Sequence, residues 1–247
     1  MRGLAGFAVL VLLVNISQLA IGVPTVLGGN GRKALIMSSL DKLVPFGYYG
    51  GLVTDSLKSL GYAVTTLNDG RITLDFITTS LNNYDIILWR TNSFTWNHQT
   101  YWYVGEPTNQ KTQTKYSEDF KVGRANAQAG IIGVSITFFS YHYSHQLLKN
   151  VKLAILISSN SVTIASVLLT SAGVQSSIYC LDPISLTYGI IDDFTYQTVA
   201  YLKMGQSVST AISNVHAPFV NPQLQDPLDT IYEPPLWFGG DPNLTIT

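Results

Sequence analysis

Short apolar runs alternating with amphipathic helical stretches constrain this chain more than any other feature. The clearest run is residues 84–90, where Ile86, Ile87, Leu88 and Trp89 follow one another without a polar break. A strand exposed on one face alternates apolar and polar residues, so an unbroken run predicts a strand covered on both faces. Residues 34–37 and 151–157 read the same way, and 62–67 and 176–181 complete five predicted strands. Between them the 3.6-residue period predicts helices over 52–60, 74–81, 162–170 and 188–204, with a short one from Ser207 to about 215. Gly61, Gly173 and Gly205 stand where helices are expected to stop, a place for a residue that accepts the left-handed conformation. Strands separated by helices imply right-handed crossovers and a mostly parallel sheet. The expected fold is therefore α/β, a three-layer sandwich whose functional groups lie beyond the carboxyl ends of the strands.

Residues 91–150 interrupt this rhythm. They begin with an aromatic patch (Phe94, Trp96, Tyr101, Trp102, Tyr103) and continue through a Thr/Gln/Lys-rich stretch, 108–115, that reads as an exposed loop. The expectation is a single domain from residue 23 to 247 carrying an irregular insertion. From Pro218 the proline-rich tail is expected to wrap the surface. Asp192 and Asp193 fall in the predicted first turn of the long helix, where carboxylates favour the helix dipole.

The amino end carries its own signal. Arg2, an apolar core over 4–14, and small residues at Ala20 and Gly22 predict a secretory leader, residues 1–22, cleaved after Gly22. The alternative is an uncleaved anchor, since the apolar stretch reaches Ile21. Both place the domain outside the cell, secreted or at its surface, with membrane contact only if the leader stays. Asn243-Leu244-Thr245 is a glycosylation triplet compatible with export.

Composition removes other classes. A formal net charge of -1 with 12% charged residues leaves no clustered Lys and Arg for phosphates, so nucleic acid is not an expected partner. One cysteine, Cys180, allows neither an intrachain disulfide nor a cysteine-rich metal site. His142 and His145 have helical-face spacing, but no Asp, Glu or Cys stands near them in sequence, so no metal is expected. Gly28-Gly29-Asn30-Gly31 lacks the preceding strand that a phosphate-cradling loop needs, and no cofactor is expected.

Two strand ends carry the functional reading. The run 84–90 leads into Thr91-Asn92-Ser93, and the run 153–157 leads into Ser158-Ser159-Asn160-Ser161. Later come the Asp182-Pro183 pair, a long helix, Gly205-Gln206-Ser207-Val208, and the closing Gly239-Gly240-Asp241-Pro242-Asn243-Leu244. In order and spacing this resembles the gingipain-like and caspase-like cysteine peptidases over about 33–245. The resemblance implies a catalytic His after the first of those strands and a Cys nucleophile after the second. Here Asn92 occupies the His position and Ser159 (or Ser158) the Cys position. A carboxamide has no nitrogen that titrates near neutrality, so Asn92 cannot act as a general base. A serine hydroxyl without a base is a weak nucleophile.

The resemblance therefore implies a pseudo-peptidase that keeps a cleft for a peptide or protein, bordered by Asn92, Ser93, Trp96, His98, Ser158, Ser159 and Asp182. An active hydrolase would need His98, on the aromatic loop, to serve Ser159 or Cys180. A third reading is a self-associating surface protein, which the low charge would suit. Cys180 within Ile178-Tyr179-Cys180-Leu181 otherwise reads as a small buried hydrophobe.

Overall fold

The computed structural model describes residues 31–39, 41–144, 147–158, 161–180, 188–220 and 236–247. The predicted leader, Ser159, Asp182 and His145 lie outside the described residues.

Five strands are parallel: β1 (Lys33–Ser38), β2 (Ala63–Asn68), β3 (Ile86–Arg90), β8 (Leu153–Ile157) and β9 (Ser176–Cys180). A sixth, β10 (Leu236–Gly240), adds antiparallel to β9, and the sheet order is β10-β9-β8-β3-β1-β2. Helices α1 (Gly47–Ser59), α7 (Tyr188–Lys203) and α8 (Val208–Val220) cover one face. Helices α2 (Leu74–Ser80), α5 (Ile136–His142) and α6 (Ser161–Val167) cover the other, together with a second sheet. The fold is the expected three-layer α/β sandwich.

The sequence pattern and the core agree residue by residue. In β3, Ile86 and Leu88 enter the core under α1 and α7, while Ile87 and Trp89 enter the opposite core. In β1, Ala34 and Ile36 face one way and Leu35 and Met37 the other. Both faces are dry, which is why neither run carries a polar alternate. Gly61, Gly173 and Gly205 all have positive φ (84°, 85° and 81°), as expected for residues that stop helices.

Four expectations are corrected. Residues 91–150 are not irregular: they build a four-stranded antiparallel sheet in the order β4-β5-β7-β6, from β4 (Ser93–Trp96), β5 (Gln99–Pro107), β6 (Ala125–Gln128) and β7 (Ile131–Ser135). The aromatic patch is a hairpin of β4 and β5, closed by Asn97 and His98 with φ of 47° and 61°. Positive φ at both loop residues is the two-residue turn whose twist matches that of its strands. The stretch read as an exposed loop contains helix α3 (Gln110–Lys115), whose first turn is capped by the Asn109 side chain accepting from Thr112 N. Helix α4 (Ser117–Lys121) follows.

Helix α1 starts at Gly47, five residues before the expected start. Asp41 Oδ1 accepts the Phe46 amide at 2.9 Å, and a Cβ at Gly50 would meet the Phe46 ring at 2.8 Å. Gly50, with no Cβ, lets the helix close on that ring. The tail contributes β10 to the main sheet, where Leu236 is fully buried. Among the described residues, no helix is long and apolar enough to cross a membrane.

Candidate functional site

β3 and β8 lie side by side with Arg90 opposite Ile157. Their carboxyl ends therefore deliver Thr91-Asn92 and Ser158 to the same edge of the sheet. Thr91 N donates to Ile157 O at 2.9 Å, joining the two exits. Asn92 O accepts from Tyr103 N at 3.0 Å, and Thr91 Oγ1 donates to Tyr103 O at 2.6 Å, so β5 fixes the chain as it leaves β3. Asn92 Oδ1 accepts the Ser93 amide at 2.8 Å. The carboxamide therefore has a structural role in starting β4, in addition to its half-buried place at the strand end.

Beneath this edge lies a charged hub that sequence reasoning missed. Arg90 is completely buried, and its Nε and Nη2 donate to Asp192 Oδ1 and Oδ2 at 2.7 and 3.0 Å. Nη1 donates to Val44 O at 2.8 Å. The guanidinium lies 5.2 Å from the Phe46 ring centroid and 4.7 Å from that of Tyr188. Tyr188 Oη in turn donates to Thr91 O at 3.3 Å. The loop after β1, the end of β3 and the start of α7 thus converge on one side chain. Burial holds the Asp192 carboxyl above the usual carboxylate range, opposed by the hydrogen bonds and charge of Arg90.

Asp192 is therefore not a helix-dipole residue: it is the fifth residue of α7 and buried. Asp193 Oδ2 instead accepts from Gln197 Nε2 along the helix. The available sequence signal was a lone arginine ending an otherwise apolar run, which demands a buried counter-charge.

The other candidate residues spread outward. Ser158 is buried, and its hydroxyl has no hydrogen-bond partner among the described residues; Ser38, at the end of β1, is the same. Ser93 begins β4, and Trp96 ends it 55% exposed. His98 is exposed at the hairpin tip, two residues beyond the end of β4. Cys180 ends β9 only 1% exposed, its amide donating to Ser161 Oγ at 2.9 Å. Desolvation by burial pushes its thiol up to about 12, partly countered by the Ser158 backbone. That environment withholds the thiolate a nucleophile needs.

The cysteine carries a sharp expectation. A water-soluble disulfide reagent at pH 8 leaves the folded protein unmodified and labels one thiol in denaturant. Because the folded thiol titrates above its unfolded value of 9.0, its contribution to stability is complete below pH 9 and is lost as pH rises towards 12. Wild type should lose stability relative to Cys180→Ala across that interval. Parallel pH profiles for the two proteins would show the thiol to be accessible.

His142, read alone as half of a histidine pair, has an acidic neighbour in space. Its Nε2 lies 3.2 and 3.3 Å from the two carboxylate oxygens of Asp119, which also accepts from Arg124 Nε at 2.5 Å. This ion-paired cluster fastens α5 to α4. Among the described residues, no group of three or more metal-ligating side chains occurs. No family model and no curated protein matches the chain.

Proposed function

We propose that this is an exported, catalytically inactive peptidase-like domain that binds a peptide or protein at the carboxyl edge of its main sheet. The observation that carries the reading is the adjacency of the β3 and β8 ends. A base and a nucleophile supplied by neighbouring parallel strands would meet there, and the first of those positions is Asn92, which cannot take a proton. The buried Cys180 and the outlying His98 give no support to a substitute pair. The gingipain-like and caspase-like affiliation is part of the same proposal, supported by the strand order that brings these two ends together. The nearby hairpin, with Trp96 exposed, supplies an aromatic anchor of the kind that dominates binding energy at interfaces.

Intact-mass analysis after incubation with a thiol-directed peptidase probe and with a fluorophosphonate tests the inactivity. No adduct is expected, and one on Ser158, Ser159 or Cys180 would overturn it. The binding half is tested with displayed peptides selected against the purified protein. Their affinity should fall at least about tenfold, ~1.4 kcal/mol, in Asn92→Ala or Trp96→Ala. Unchanged affinity in both variants would place the binding surface elsewhere.

A further inference from the structure

The triplet Asn243-Leu244-Thr245 occupies a segment whose side chains alternate strictly. Asn243, Thr245 and Thr247 are exposed, while Leu244 and Ile246 are buried at 9% and 2%. The acceptor amide and the hydroxyl two residues later, the two groups that define the triplet, therefore stand on the outward side together. The apolar alternates hold the strip in place by entering the core under α7 and α8.

The backbone around the triplet is fixed as well. Asn243 N donates to Asp241 Oδ1 at 2.9 Å, and Leu244 N to Asp241 O at 3.4 Å, closing a turn. Pro242 O accepts from both Ser209 N, at 3.1 Å, and Ser209 Oγ, at 2.9 Å. Leu244 O accepts from Val208 N at 2.9 Å. A triplet in a core strand would have to expel a glycan or unfold. This one presents its asparagine to solvent while every neighbouring anchor stays satisfied.

We infer that Asn243 is an N-glycosylation site, a reading that rests on export of the chain. In the transfer, Asn243 Nδ2 attacks the anomeric carbon of a lipid-diphosphate-linked oligosaccharide. A C–N bond forms, the anomeric C–O bond to the diphosphate breaks, the amide gives up one proton, and the lipid diphosphate leaves. The sequence holds one other such triplet, Asn15-Ile16-Ser17, inside the predicted leader. Asn243 is therefore the sole acceptor expected on the mature domain.

The test is secretion of the full chain from a eukaryotic host, in one arm with its own amino terminus and in the other preceded by the host's leader. The expected product carries one glycan, removed by peptide N-glycosidase, with peptide mass spectrometry placing the resulting deamidation at Asn243. Asn243→Gln and Thr245→Ala should abolish it, and Thr245→Ser should retain it. A glycan at Asn243 only in the host-leader arm sustains the site and sinks the export reading. An unmodified Asn243 in secreted protein from the host-leader arm overturns the site.

Discussion

Arg90→Met should destabilise the protein by about 3–5 kcal/mol, read as a shift in the urea unfolding midpoint. The substitution removes a guanidinium that is fully buried and bidentate on Asp192, leaving a buried carboxylate with no counter-charge. It also removes the donor to Val44 O and the cation between Phe46 and Tyr188. The pH dependence follows from Asp192. Its folded-state pKa already lies above the unfolded value through burial, and loss of Arg90 removes the influence opposing that rise. A carboxyl raised in the folded state contributes best below its unfolded pKa, and its contribution is lost as pH rises through the folded value. The deficit of Arg90→Met should therefore be smallest below the unfolded carboxylate pKa of about 4 and grow as pH rises above it.

Arg90→Met combined with Asp192→Leu separates the charge from the packing. Replacing both members of a buried pair with apolar residues of similar size is often close to neutral. The double variant should recover more than half of the single variant's loss, leaving the cost of the Val44 and Tyr188 contacts. Equal losses in single and double variants would mean that the hub acts through shape alone. Because Tyr188 bonds the carbonyl of Thr91, next to Asn92, the single variant should also weaken any peptide selected against the wild type.

What could be read from the sequence follows what is repeated locally. The three dry strand interiors, in β1, β3 and β8, were legible because burial on both faces leaves an unbroken apolar run, as in Ile86–Trp89 and 153–157. The helix-stopping glycines were legible because left-handed backbone demands that residue. The second sheet was not. Its β4 and β6 edges are short and half polar, and β5 pairs with β7 across an intervening pair of helices and a strand. Strand β10 was hidden because Gly239-Gly240-Asp241-Pro242 reads as a turn. In the fold, those glycines admit the Leu169 side chain, which a Cβ on either would meet at 2.9 Å.

At the candidate site, Asn92 and Ser158 were legible from the rule that function lies beyond parallel strand ends. The Arg90–Asp192 pair spans 102 residues, and nothing local announces which acid meets a buried arginine. Asp119 beside His142 is the same case over 23 residues. Long-range polar pairing is the part of a fold that periodicity does not encode.

Gly105→Ala is the second large effect, and it tests how the two sheets are joined. Gly105 lies where the β5–β7 register shifts between Tyr103 and Pro107, with φ of 109°. A Cβ there would fall inside the van der Waals radius of the Asp69 carbonyl, in the single 3-10 turn that follows β2. Positive φ on a non-glycine residue costs about 1–3 kcal/mol, and forcing an atom into a packed contact costs a similar amount. Gly105→Ala should therefore lose about 3 kcal/mol or more in urea denaturation. Gly130→Ala is the matched control, because its φ of 76° is also positive but a Cβ there meets nothing within 4 Å. It should lose only about 1 kcal/mol. The difference measures the contact between β5 and the turn after β2 together with the added backbone strain of the larger φ at Gly105. If the two variants unfold at the same denaturant concentration, the collision is relieved by movement of the second sheet, and the two sheets are not rigidly joined at this point. If they separate as expected, the hairpin carrying Trp96 and His98 is held by the same contact that fixes β5. The position of that hairpin beside Asn92 is then set by Gly105 as much as by the end of β3.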